Sequence, residues 1–107
     1  MPNKETFLGM LEKGTDNALL RYSLGNAYFA DKEYEKSAEH FAVAVEHDPA
    51  YSAAWKLLGR CYIEMARYPE AVKALQSGLS VAAEKGDKQA EKEMAVFLRR
   101  AQKKLGG

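Results

Sequence analysis

Residues 52–80 read SAAWKLLGRCYIEMARYPEAVKALQSGLS, and residues 18–46 read ALLRYSLGNAYFADKEYEKSAEHFAVAVE. At an offset of 34, Leu24, Gly25, Tyr28 and Tyr34 fall on Leu58, Gly59, Tyr62 and Tyr68. Between these identities size is kept. Ala27 pairs with Cys61, Ser37 with Ala71 and Ala44 with Gly78, while Phe41 pairs with Leu75 and Val45 with Leu79. Leu24, Gly25 and Tyr28 share one face of a helix, at i, i+1 and i+4. A glycine inside a helix costs roughly 1 kcal/mol, so its recurrence at Gly59 marks a place where a neighbouring helix comes close. Ser37, Phe41 and Ala44, at i, i+4 and i+7, give the next helix a matching face. Each stretch therefore reads as two antiparallel helices joined by a short turn, and the chain as a stack of such pairs.

The punctuation on either side gives six helices. Asn3 is a candidate N-cap for a first helix that Gly14 stops. Thr15 or Asp16 is expected to cap a second helix running to about Ala30. A third spans Tyr34 to His47, ended by Asp48-Pro49, because the residue before a proline is pushed out of the helical region. The fourth runs from about Ser52 to Glu64. Pro69 suits the first turn of the fifth, which nothing interrupts until Gly86. The sixth starts near Asp87 and carries Ala90, Met94, Phe97, Leu98, Ala101 and Leu105 at helical spacing, which suits a cap with a polar outer face.

These residues carry a resemblance. Residues 18–51 and 52–85 look like two tetratricopeptide repeats, flanked by an N-terminal helix (1–14) and a C-terminal capping helix (87–105). Trp55, Leu58, Gly59, Tyr62, Ala71 and Leu75 match the second unit's signature, and Leu24, Gly25, Tyr28, Phe41, Ala44 and Pro49 the first. Arg21 departs from a common Trp, Ser37 from a common Ala, and Ala83 from the closing Pro. The resemblance implies an all-α fold of tetratricopeptide-type helical hairpins, in a small two-repeat protein of bacterial type. It also implies a non-catalytic role in binding proteins or peptides.

Composition agrees with that class. The 107 residues are 47% hydrophobic and 29% charged, with a net charge of +1. That balance argues against a dedicated nucleic-acid binder. No apolar run approaches the ~20 residues of a membrane span. The start, residues 1–8, is too short and too charged for a secretory signal. The single cysteine, Cys61, permits no internal disulfide, which suits a cytoplasmic setting. His40 and His47 lie two turns apart, ~10.5 Å of rise, too far to share a metal. Glu12 with Asp16, and Glu91 with Glu93, read as solvated carboxylates. No phosphate loop, metalloprotease motif or nucleophile elbow is present, so neither an enzyme nor a cofactor or metal site is expected.

A second stripe on the second helix, Leu19, Tyr22, Asn26 and Phe29, faces away from its partner, and Ala53, Lys56, Arg60 and Ile63 repeat it. By the resemblance such first-helix stripes line a concave, peptide-binding surface. Tyr22, Asn26, Phe29, Lys56 and Arg60 are the candidate groove, suited to a segment with apolar anchors and a carboxylate. The family's two-carboxylate clamp for chaperone tails is not expected. Asn26 fits one of its positions, but Tyr22 and Leu57 stand at two others. A second candidate is the basic patch Arg99, Arg100, Lys103 and Lys104. Cations there also complement the helix dipole, and an acidic partner or RNA is the alternative. Self-association through Phe7, Met10 and Leu11 is a further rival reading.

Overall fold

The computed structural model describes residues 3–106; Met1 and Pro2, at the head of the expected flanking segment 1–14, and Gly107 lie outside the described residues. The elements are α1 (Lys4–Glu12), α2 (Ala18–Ala30), α3 (Tyr34–His47), α4 (Ser52–Glu64), α5 (Tyr68–Lys85) and α6 (Lys88–Gly106). Local signals set these bounds. Asn3 Oδ1 accepts the Thr6 N–H at 3.0 Å, and Asp87 Oδ1 accepts the Ala90 N–H at 3.1 Å. The cap of α2 differs from the sequence expectation. Asn17, in extended backbone, accepts the Leu20 N–H at 2.8 Å, one to two residues beyond Thr15 and Asp16. Asp16 is engaged elsewhere, its carboxylate accepting from Arg21 and His47.

Four helices end with the same wiring. An N–H beyond the cap reaches five residues back: Thr15 to the Met10 carbonyl, Glu33 to Tyr28, Arg67 to Tyr62 and Asp87 to Ala82. The preceding residue must then adopt a positive φ. Gly14 and Gly86 do so, but so do Lys32 (61°) and Ala66 (56°), which sit at equivalent places in the two turns.

Packing follows the repeated glycines. A Cβ at Gly25 would lie 2.6 Å from the Phe41 ring, and one at Gly59 would lie 2.5 Å from Leu75 Cγ. Both larger residues are fully buried. Gly78 repeats the device at the α5–α6 contact, where a Cβ would meet Met94 Sδ at 2.5 Å and Trp55 Cβ at 2.7 Å. A central cluster of Ala38, Phe41, Ala44, Val45, Leu58 and Cys61 joins α3 to α4. Ser37 ties three helices together there: its hydroxyl donates to the Gly25 carbonyl at 2.7 Å and accepts from the Cys61 thiol at 3.3 Å. At the ends, α1 lays Phe7, Leu8 and Leu11 on Leu20, Leu24 and Tyr28, while α6 lays Ala90, Met94 and Leu98 on Leu75 and Ala82. The result is an all-α stack of 44 × 29 × 22 Å. Among the described residues no helix is long and apolar enough to cross a membrane.

Two outcomes test this account. Gly59→Ala places a methyl against Leu75 and is expected to cost about 2 kcal/mol or more in urea unfolding. An unchanged midpoint would mean that α4 and α5 do not depend on the close approach. Ala66→Gly relieves a left-handed alanine and is expected to stabilise by about 0.5–1 kcal/mol, read the same way.

Candidate functional site

Successive first helices of the pairs, α2 and α4, present their outward stripes side by side, and α6 stands beyond them. On α2, Tyr22 is half-buried, stacked on Tyr51 at 4.7 Å and tilted onto Phe41 at 5.7 Å. It lies against the core cluster and not beneath α1, whose apolar face is taken up by Leu20, Leu24 and Tyr28. Asn26 is exposed, as is Leu19 at 67%. Phe29 meets Tyr34 edge-on at 5.3 Å.

Arg60 connects the three helices. Its guanidinium carbon lies 5.1 Å from the Phe29 ring centre and 5.1 Å from that of Phe97 on α6. Arg100 approaches the same Phe97 ring at 5.4 Å. A cation held between rings gains about 0.5–2 kcal/mol per contact, while its N–H donors stay available for an anion. Arg60 makes no ion pair with any described residue. Lys56 is different: its ammonium bonds Glu93 of α6 at 2.9 Å, and that bond, with a second from Gln89, holds the Glu93 carboxyl below its ordinary value. Between these groups a cleft of about 310 Å³ is lined by Lys56, Arg60, Glu93, Val96 and Phe97.

The structure thus brings Phe29, Lys56 and Arg60 toward one another through α6, commits Tyr22 to internal stacking, and leaves Asn26 open. Sequence reading missed Glu93 and Phe97, which it had placed with the solvated and core faces of the cap. Their i, i+4 spacing, continued by Arg100 at i+7, was the available signal. The basic patch divides. Arg100 packs beside Phe97, whereas Arg99, Lys103 and Lys104 are exposed along the tail.

The other titratable groups serve the fold. Among the described residues no cluster of His, Cys, Asp or Glu could hold a metal ion. Burial pushes the Cys61 thiol up to about 11, which suppresses the reactive thiolate. Bonds from Arg21 and His47 hold the Asp16 carboxyl far below the usual range, the opposite of what an acid catalyst needs. His40 and His47 belong to this one network: Arg21 Nη1 lies 3.1 Å from His40 Nδ1, and His47 Nε2 lies 2.9 Å from Asp16. Because arginine can only donate, His40 Nδ1 accepts and the ring is neutral.

A stack of helical pairs with outward stripes on its first helices defines a helical-repeat interaction module. The tetratricopeptide repeat family model matches residues 28–92. A TPR repeat-containing protein of Pseudomonas aeruginosa is 53% identical over 91 residues, covering 85% of this chain and 87% of its own. The solution structure of a Bordetella parapertussis protein superposes with a TM-score of 0.79 at 40% identity, over 94% of this chain and 87% of that one. A heat-shock cognate co-chaperone of Aspergillus fumigatus is 42% identical over 53 residues, half of this chain and 16% of its own length. The chain belongs to the tetratricopeptide repeat family, and it is a non-catalytic protein-interaction module.

The Asp16 network has a pH signature. Burial, and then the Arg21 charge, lower the His40 pKa against weaker opposing effects of Glu39 and Asp16. The unfolded chain therefore takes up this proton first as pH falls. Stability should be level above the ordinary histidine range, about pH 6.5, and decline below it. Urea midpoints between pH 7.5 and 5 are expected to show this decline, and His40→Gln to flatten it.

Proposed function

We propose that the face formed by α2, α4 and α6 binds an extended protein segment bearing a carboxylate and an apolar or aromatic anchor. On this reading residues 18–51 and 52–85 are the two repeat units that present the face, and α6 completes it. The observation that carries the proposal is Arg60, an arginine without a carboxylate partner among the described residues, held between Phe29 and Phe97. Intramolecular ion pairs take up Lys4, Arg21, Lys56 and Arg67, whereas Arg60, with Arg100 beside it on the Phe97 ring, keeps its donors for a ligand. Asn26 and Leu19 extend the surface toward the start of α2, with an amide and an exposed apolar side chain.

The co-chaperone similarity does not supply the ligand. At the clamp positions named above, Tyr22 is stacked on Tyr51 and Leu57 is packed on the core, so only Asn26 offers the polar group a clamp would use. An internal acidic segment, gripped by Arg60 with Phe97 and Arg100, fits the available donors better than a doubly clamped C-terminus. For the rival self-association, Phe7 and Leu11 are already packed on α2, which leaves Met10 exposed at 42%.

Arg60→Glu combined with Arg100→Glu is expected to abolish capture of the partner in affinity purification from the native host. Helical circular dichroism should be unchanged, since neither charge has an internal ionic partner. Arg99→Glu with Lys103→Glu and Lys104→Glu should leave capture intact. The reverse pattern would move the binding site to the tail.

A further inference from the structure

A second concave feature lies on another side of α4. Trp55 and Tyr62, with Leu58 as floor, form with Glu70, Lys73, Ala74 and Ser77 of α5 a slot of about 240 Å³. It shares no residue with the Lys56–Arg60–Phe97 cleft. At the 34-residue offset, Trp55, Tyr62 and Ala74 correspond to Arg21, Tyr28 and His40.

In the first helical pair that same space is full. The His40 imidazole stacks on Tyr28, with ring centres 5.4 Å apart and planes 3° from parallel, and its Nδ1 meets Arg21 at 3.1 Å. The two frames are built alike. Arg21 turns back onto Asp16 in the connection before α2, and Trp55 turns back onto the Pro49 carbonyl, at 2.8 Å, in the connection before α4. Each frame has an anchored side chain at one end and a tyrosine ring at the other. A flat, polar-edged ring bridges them in the first pair. In the second, the bridging position is Ala74, whose methyl leaves the ring's place empty.

We propose that this slot seats one aromatic side chain with a polar edge, a tyrosine of a protein partner. The chain's own use of the equivalent space shows that a planar ring fits a frame of this kind. Trp55 and Tyr62 supply ring surfaces, against which aromatic contacts add to simple burial. Ser77 and Glu70 at the rim offer oxygen acceptors for a phenol O–H. A cationic occupant is disfavoured, because those attractions are already used: Arg67 lies 5.6 Å over the Tyr62 ring and bonds Glu70 at 3.0 Å, and Lys73 stands at the rim.

Trp55 is the only tryptophan, so its indole N–H gives a single resonance that reports directly on the slot. The test is a titration of the ¹⁵N-labelled chain with N-acetyl-tyrosinamide at millimolar concentration. A saturable shift of the Trp55 indole N–H, together with the Ala74 and Ser77 amides, is expected. Ala74→His, which restores the first pair's arrangement, should weaken binding at least tenfold. His40→Ala should open a second site, with new shifts around Tyr28. Ser77→Phe, which covers the slot from its rim, is the second blocking variant should Ala74→His fail to fold. The proposal is overturned if Trp55 does not move, if a folded blocking variant binds as the parent does, or if methylguanidinium binds more tightly than the tyrosine probe. Shifts confined to Arg60 and Phe97 would also overturn it, and would locate aromatic binding on the other face.

Discussion

The closeness of helix to helix at Gly25 and Gly59 governs the remaining geometry. With no side chain at these positions, the Phe41 ring and the Leu75 isobutyl group lie directly against the backbone of α2 and α4. A helix pair held at that distance has little freedom to rotate, since protein interiors are packed to the density of organic crystals. The stripe opposite each glycine is therefore turned outward in the same sense twice. Ser37 reinforces the junction with a buried hydrogen bond to the Gly25 carbonyl, and the Cys61 thiol leaves its oxygen no unmet acceptor role. The thiol acts as a small buried donor, and its raised pKa follows from the burial that makes it useful there.

A stack of repeats has two open ends, and this chain closes them by different means. The short α1 brings three large apolar side chains to the Leu20–Leu24–Tyr28 face and anchors Lys4 on Asp31 and Glu33. The long, strongly amphipathic α6 does more. One side covers Leu75 and Ala82 through Met94, which is accommodated by the missing side chain at Gly78. A neighbouring side carries Glu93, Phe97 and Arg100 to Lys56 and Arg60. The cap thus contributes to the proposed binding face, and its contacts sort the two cations of α4: Lys56 is paired with Glu93, Arg60 is framed by rings and left with free donors.

Charge is otherwise balanced within the molecule. The exposed ion pairs contribute little stability each, since solvent screens them. On the proposed binding face the pairing is selective, because Glu93 engages Lys56 and leaves Arg60 without a carboxylate partner among the described residues. The Asp16–Arg21–His40 network has a further consequence. It fills the side of the first helical pair with an imidazole, and the absence of that imidazole from the second pair creates a slot beside Trp55.

The all-α class, the six helices and the paired glycines were legible in the sequence because each rests on local chemistry or on a recurrence at a constant offset. Caps, prolines and helical spacing act over a few residues, and a repeated Gly inside a helix has few explanations besides close packing. The left-handed turns at Lys32 and Ala66 left no such sign, since their conformation goes with the hydrogen bonds that close each helix end and not with residue type. The α2 cap was misread for a related reason: Asp16 and Asn17 are both good caps, and a distant His47 together with Arg21 decided between them. For the candidate surface, the stripe of α2 and α4 could be read from periodicity. Only the packed structure could turn Tyr22 onto Tyr51, pair Lys56 with Glu93, 37 residues away, and bring Phe97 to Arg60. The contacts of Glu93 and Phe97 depend on how far α5 carries the chain before α6 returns, a distance in space that no periodicity along the sequence encodes.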